Sequence, residues 1–129
     1  FYNGQLNAIN TSLANMGNTV TFYVPKARST YQWILELKAA YSNACNFYHK
    51  VNLYFSGPQS FHIPDASGKG FLHEWFNPGY SSAGNIRETG IVEFEQKGTY
   101  TIYLQMQSSN GNYFYFNDPT LYFFWIDQN

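Results

Sequence analysis

The stretch Ile91-Val92-Glu93-Phe94-Glu95-Gln96-Lys97-Gly98-Thr99-Tyr100-Thr101-Ile102-Tyr103-Leu104-Gln105-Met106-Gln107 decides the fold class. Apolar residues recur at every second position on both sides of Lys97-Gly98, which is the period of a strand with one buried face. Val92 and Phe94 on one arm, and Tyr100, Ile102, Leu104 and Met106 on the other, can share that buried face. The Lys97-Gly98 pair supplies the turn, so the reading is a β-hairpin.

The same period extends outward in both directions. Val20, Phe22 and Val24 alternate with Thr19, Thr21 and Tyr23 up to Pro25. In Tyr31 to Tyr41 one face reads Tyr31, Trp33, Leu35, Leu37, Ala39 and Tyr41 and the other Gln32, Ile34, Glu36, Lys38 and Ala40. From Phe47 to Phe55, His49, Val51, Leu53 and Phe55 oppose Tyr48, Lys50, Asn52 and Tyr54, and a short strand, Phe61 to Ile63, stops before Pro64. Tyr113 to Phe116 and Leu121 to Ile126 read as two aromatic strands joined by the turn-forming tetrad Asn117-Asp118-Pro119-Thr120. About eight short strands with no amphipathic helices between them exclude a parallel α/β fold. They predict an all-β antiparallel sandwich, with a jelly roll the expected arrangement. Phase places Val20, Phe22, Leu35, Leu37, Leu53, Phe94, Ile102, Leu104 and Phe123 in its core, and assigns Trp33 and Trp125 to the same interior.

Before Gly17 the pattern changes. Leu6, Ile9, Leu13 and Met16 recur at alternating steps of three and four, the spacing of a coiled-coil seam, and Gly17 stands where a helix would end. The expectation is a short N-terminal helix or stalk remnant over residues 1–17, followed by a sandwich domain over 18–129. So short a seam is unstable alone in water, so the segment reads as the end of a longer stalk, or as an ordinary amphipathic helix packed on its own domain.

The 129 residues hold 7 basic and 8 acidic side chains, for a net charge of −1, with no basic run, so nucleic acid is not an expected partner. No stretch approaches the apolar length of a membrane span. The lone Cys45 reads as a structural thiol. Aromatic residues make up 21% of the chain, more than one core of this size holds, so many rings must lie near the surface. Exposed rings beside amides and hydroxyls suit sugars, because a ring covers the apolar face of a pyranose while polar neighbours take its hydroxyls.

The richest candidate for such a site is Gly70 to Asn85, a short strand running into a loop shaped by Pro78, Gly79 and Gly84. Trp75 and Tyr80 are its stacking candidates, with Trp75 reading equally as a plug for the end of the sandwich. His73, Glu74, Asn77 and Arg87 are its hydrogen-bonding candidates. A second candidate is the sheet face carrying Tyr103, Gln105 and Gln107, with Tyr48 and Tyr54 also out of phase with the core. Its plainer reading is a solvated face bearing tyrosines that favour strands.

No nucleophile elbow, zinc-protease pair or phosphate loop occurs. Glu93 and Glu95 stand roughly 7 Å apart on one strand face, a spacing any strand can meet, and they read as solvated rather than as a glycosidase pair. The expectation is a binding module without catalytic residues. His49, His62 and His73 share no ligand spacing and no metal is expected, although Asp65, Asp118 or Asp127 could hold a structural calcium.

The segment Asn7-Ala8-Ile9-Asn10-Thr11-Ser12-Leu13-Ala14-Asn15, followed by an aromatic, Asn- and Ser-rich β domain from Tyr100 to Trp125, resembles the receptor-binding and accessory baseplate proteins of tailed phages that infect Gram-positive bacteria. The resemblance implies a virion-surface, extracellular module that adheres to cell-surface polysaccharide without cleaving it. It also implies contact with other subunits through the N-terminal segment. The alternative is a capsid-like or tumour-necrosis-factor-like jelly roll whose aromatic surface packs against other copies, typically three. A broad apolar sheet face favours subunit packing; aromatics flanked by Asn, Gln and Glu favour sugar.

Overall fold

The computed structural model describes residues 5–7, 14–42, 48–63, 73–76, 82–108 and 114–127. The described residues form nine strands: β1 (Gln5–Asn7), β2 (Ala14–Val24), β3 (Ser29–Ser42), β4 (Tyr48–Ser56), β5 (Phe61–Ile63), β6 (His73–Phe76), β7 (Ser82–Phe94), β8 (Gly98–Ser108) and β9 (Phe114–Asp127). They form two antiparallel sheets, one ordered β1-β9-β3-β7 and the other β2-β8-β4-β5, with β6 also paired to β4. The pairing is nested: β1 lies on β9, β2 on β8, β3 on β7 and β4 on β6.

The expected alternation accounts for the core. Tyr31, Trp33, Leu35, Leu37, Val92 and Phe94 come from the four-stranded sheet, and Val24, Val51, Leu53, Phe55, Tyr100, Ile102, Leu104 and Met106 from the five-stranded one. Phe94 touches rings on the other sheet directly, with centroids 4.8 Å from Tyr100 and 5.8 Å from Phe55. Of the expected core set, Leu35, Leu37, Leu53, Phe94, Ile102 and Leu104 are buried, while Val20, Phe22 and Phe123 are partly buried against it.

Four expectations are corrected. The Lys97-Gly98 turn does not close a hairpin: β7 pairs with β3 and β8 with β2 and β4, so the turn arches from one sheet to the other. The two apolar faces still meet, but across the core rather than along one ladder. Asn117-Asp118-Pro119-Thr120 does not separate two strands, because β9 runs through it. Asp118 takes φ 46°, a left-handed conformation that Asp tolerates, and the β3 partners shift from Lys38↔Asn117 to Glu36↔Thr120 at that point. Trp125 shares the phase of Phe123 but is exposed, stacked at 5.7 Å on Tyr31 near the end of its strand.

The fourth correction is the N-terminal helix. Gln5–Asn7 is a strand on β9, with Leu6 opposite Phe116, and Ala14–Met16 opens β2, with Met16 opposite Leu104. Gly17, at φ 70°, lies at a register shift between Met16 and Val20 rather than at a helix end. The apolar spacing of Leu6 and Met16 serves two separate strands equally well, and the unpaired edges of β9 and β8 offer backbone hydrogen bonds that a short helix could not match. Residues 8–13, which carry Ile9 and Leu13, lie outside the described residues.

Candidate functional site

Because β-strand side chains alternate, each sheet has an outer face opposite the core, and the two outer faces differ in chemistry. On the five-stranded sheet, core residues Leu53 and Leu104 are flanked by Tyr54 and Tyr103, which point outward. Registers Tyr54↔His62 and Tyr54↔Tyr103 place three rings in one row, with centroids 4.6 Å and 5.8 Å apart. All three are half-buried, so each ring keeps some exposed surface.

The neighbouring row on this face consists of carboxamides. Asn15, Gln105 and Asn52 are directly opposed across β2, β8 and β4. Gln105 Nε2 donates to Asn15 Oδ1 at 3.0 Å, joining residues 90 positions apart in sequence. Asn52 is fully buried, and neither its Nδ2 nor its Oδ1 has a hydrogen-bond partner; the Oε1 of Gln105 is likewise buried and unpartnered. One row further, Lys50 stands opposite Gln107 on β8 and Glu74 on β6.

The candidates chosen from the sequence divide between the sheets. His73, Glu74 and Trp75 belong to β6, at register positions opposite Val51, Lys50 and His49 of the five-stranded sheet. Asn77 and Tyr80 lie outside the described residues. Arg87 stands on β7 of the four-stranded sheet, where its Nε is 3.6 Å from Glu36 Oε1 on β3. The acid beside this guanidinium is therefore Glu36, a residue that local sequence reasoning had no means of pairing with it. Glu36, Leu37, Lys38, Asn85, Ile86 and Arg87 line an open cleft of about 390 Å³ across the β3–β7 ladder. The pair is largely solvated and contributes at most about 1 kcal/mol.

Beyond that cleft the outer face of the four-stranded sheet turns apolar. Ile91 is 62% exposed, Ile126 55%, Phe124 49% and Tyr122 40%, with Ile34 buried among them. Gln32 sits between Ile91 and Phe124 in the ladder, and its Nε2 donates to Thr89 Oγ1 at 3.4 Å. Neutral side chains fill the centre of this face, and the charged pair Glu36–Arg87 lies at one end.

Among the described residues, burial makes the phenols of Tyr31 and Tyr100 weaker acids than usual, holding the pKa of each above the ordinary value of 10.0. Tyr100 donates to the carbonyl oxygen of Gln96 at 2.8 Å, which anchors the arch between β7 and β8. Glu93 and Glu95 are exposed. Of the aspartates considered for calcium, Asp118 is at the β9 bulge and Asp65 lies outside the described residues. Among the described residues no three His, Cys, Asp or Glu side chains converge as a metal site would require. The sequence matches no protein-family model and no curated protein.

Proposed function

We propose that this chain is a non-catalytic carbohydrate-binding head that associates with copies of itself through its four-stranded sheet and meets cell-surface polysaccharide with its five-stranded one. The observation that carries the reading is the difference between the two outer faces. One has an apolar centre of Ile34, Ile91, Tyr122, Phe124 and Ile126 with charges at its end, the composition of a subunit interface. The other sets the rings of Tyr54, His62 and Tyr103 beside carboxamides, the composition of a sugar site.

The two roles support one another. A small polar ligand offers little apolar area, so a single site binds weakly, and several sites held in one assembly bind tightly by avidity. As a phage host-recognition head, the chain would carry its sugar faces outward around a common axis. The nested strand pairing supports the jelly-roll reading, in which such assemblies of identical subunits are familiar.

Light scattering and retention on polysaccharide test the reading together. Phe124→Asp and Ile91→Asp should dissociate the assembly while preserving the melting temperature. Tyr103→Ala should leave the assembly intact and abolish most polysaccharide retention. A second reading, a purely structural jelly roll, is favoured by the apolar face alone. It prevails if the parent assembles through that face yet is retained by no polysaccharide.

A further inference from the structure

We infer that the carboxamide row Asn15, Gln105 and Asn52 is the hydrogen-bonding floor of the sugar site, and that it selects neutral, hydroxyl-bearing saccharides over acidic polymers. The inference rests on the glycan reading above and names the ligand chemistry. Its starting point is Asn52, fully buried with both carboxamide atoms unpartnered, next to the equally unpartnered Oε1 of Gln105. Buried polar groups are nearly always paired, and leaving one unpaired is destabilising. An apolar side chain of similar size at position 52 would avoid that cost. A polar residue in this position therefore works against stability, as binding residues often do.

The three unpartnered atoms specify a partner. Asn52 Oδ1 and Gln105 Oε1 only accept, and Asn52 Nδ2 only donates. A phosphate or carboxylate, which only accepts, would bring its lone pairs against two acceptors. An ammonium group, which only donates, would leave Nδ2 unpaired. A hydroxyl both donates and accepts, so a pair of adjacent pyranose hydroxyls can take a hydrogen bond from Asn52 Nδ2 and give one to each carbonyl oxygen.

The neighbouring row supplies the stacking surface. Tyr54 and Tyr103 are two residues along their strands from Asn52 and Gln105, a separation of roughly 7 Å, comparable to a pyranose ring. A sugar lying on those rings brings its hydroxyl edge over the carboxamides. The row runs from exposed Asn15 through half-buried Gln105 to buried Asn52. Entry is therefore from the Asn15 side, with the Gln105 carboxamide turning away from Asn15 Oδ1.

The test measures binding of the full chain to soluble neutral glucan, mannan and galactan, with inorganic polyphosphate as an acceptor-only polyanion. Retention by at least one neutral polysaccharide and not by polyphosphate is expected. Asn52→Leu should melt at the same or a higher temperature and lose about tenfold or more in affinity; Gln105→Met, altered at a half-buried position, should weaken binding as well. Should Asn52→Leu fail to fold, the Gln105→Met result decides. Unchanged affinity in these variants, with Tyr103→Ala still defective, overturns the selective row and leaves the glycan reading standing. A parent that binds none of the neutral polysaccharides overturns both, and preference for polyphosphate reverses the selection.

Discussion

Phe22 of β2 and Phe123 of β9 stack across the gap between the two sheets, with centroids 4.2 Å apart and planes inclined by 20°. Each is only partly buried, yet both also lie against Phe94 and Tyr31, so this pair closes the core where two strands from different sheets come side by side. Phe123→Ala should cost about 3 kcal/mol, read as a lower urea midpoint with unchanged slope. The Phe22→Ala, Phe123→Ala double variant should cost less than the sum of the singles by about 0.5–1.5 kcal/mol, the usual coupling of an aromatic pair. Simple additivity would mean the stack contributes nothing beyond burial.

Leu104 and Trp125 should respond oppositely to their sizes. Leu104 is fully buried, and truncation to Ala should cost roughly 2–5 kcal/mol. Trp125 is exposed and stacks on Tyr31, so Trp125→Ala should cost less than Leu104→Ala despite removing far more atoms. Thermal unfolding of the two variants, compared at equal ionic strength, checks the order.

Gly90 is required by a close approach rather than by its backbone angles. A Cβ there would stand 2.6 Å from Cζ2 of Trp33 and 2.9 Å from its Cε2, inside a ring that is itself buried in the core. Gly90→Ala should therefore destabilise by about 1–3 kcal/mol through overpacking. Gly90→Ala combined with Trp33→Phe, which removes the colliding part of the indole, should recover part of that loss. No recovery would show that the clash is relieved by backbone movement instead.

Alkali should unfold the protein by way of Tyr31 and Tyr100. Burial raises both phenols above the ordinary value of 10.0, so the folded state keeps protons that the unfolded state releases. Their contribution is complete below that value and is lost as pH rises through the folded-state pKa, so stability falls with increasing pH in that range. Urea midpoints measured upward from pH 9 should decline, and Tyr100→Phe should flatten the decline. A parent as stable at pH 11 as at pH 9 would contradict this.

The fold was legible wherever its determinants are local. Leu35, Leu37, Leu53, Ile102 and Leu104 fall in the core because a strand turns alternate residues to one side whatever its neighbours are. Tyr54 and Tyr103 were readable as outward-facing for the same reason. The candidate site was less so. Glu74 and Arg87 are close in sequence, yet one is on a strand of each sheet and Arg87 takes Glu36 as its ion-pair partner. The unpaired carboxamide of Asn52 has no sequence signature, since an Asn in phase with Lys50 and Tyr54 reads as an ordinary solvated position.

What the sequence by itself determined is the period of the strands and which of their residues face inward, since both follow from backbone geometry within a few residues. Only the tertiary structure decided which sheet each strand joins. That choice makes Lys97-Gly98 an arch rather than a hairpin, carries β9 through Asp118-Pro119 by a bulge, and draws Gln5–Asn7 and Ala14–Met16 into strands. The reason is physical: an alternating strand can bury its apolar face against any of several partners with similar local energy. The arrangement that wins closes one core between two sheets, a condition set by residues far apart in the chain.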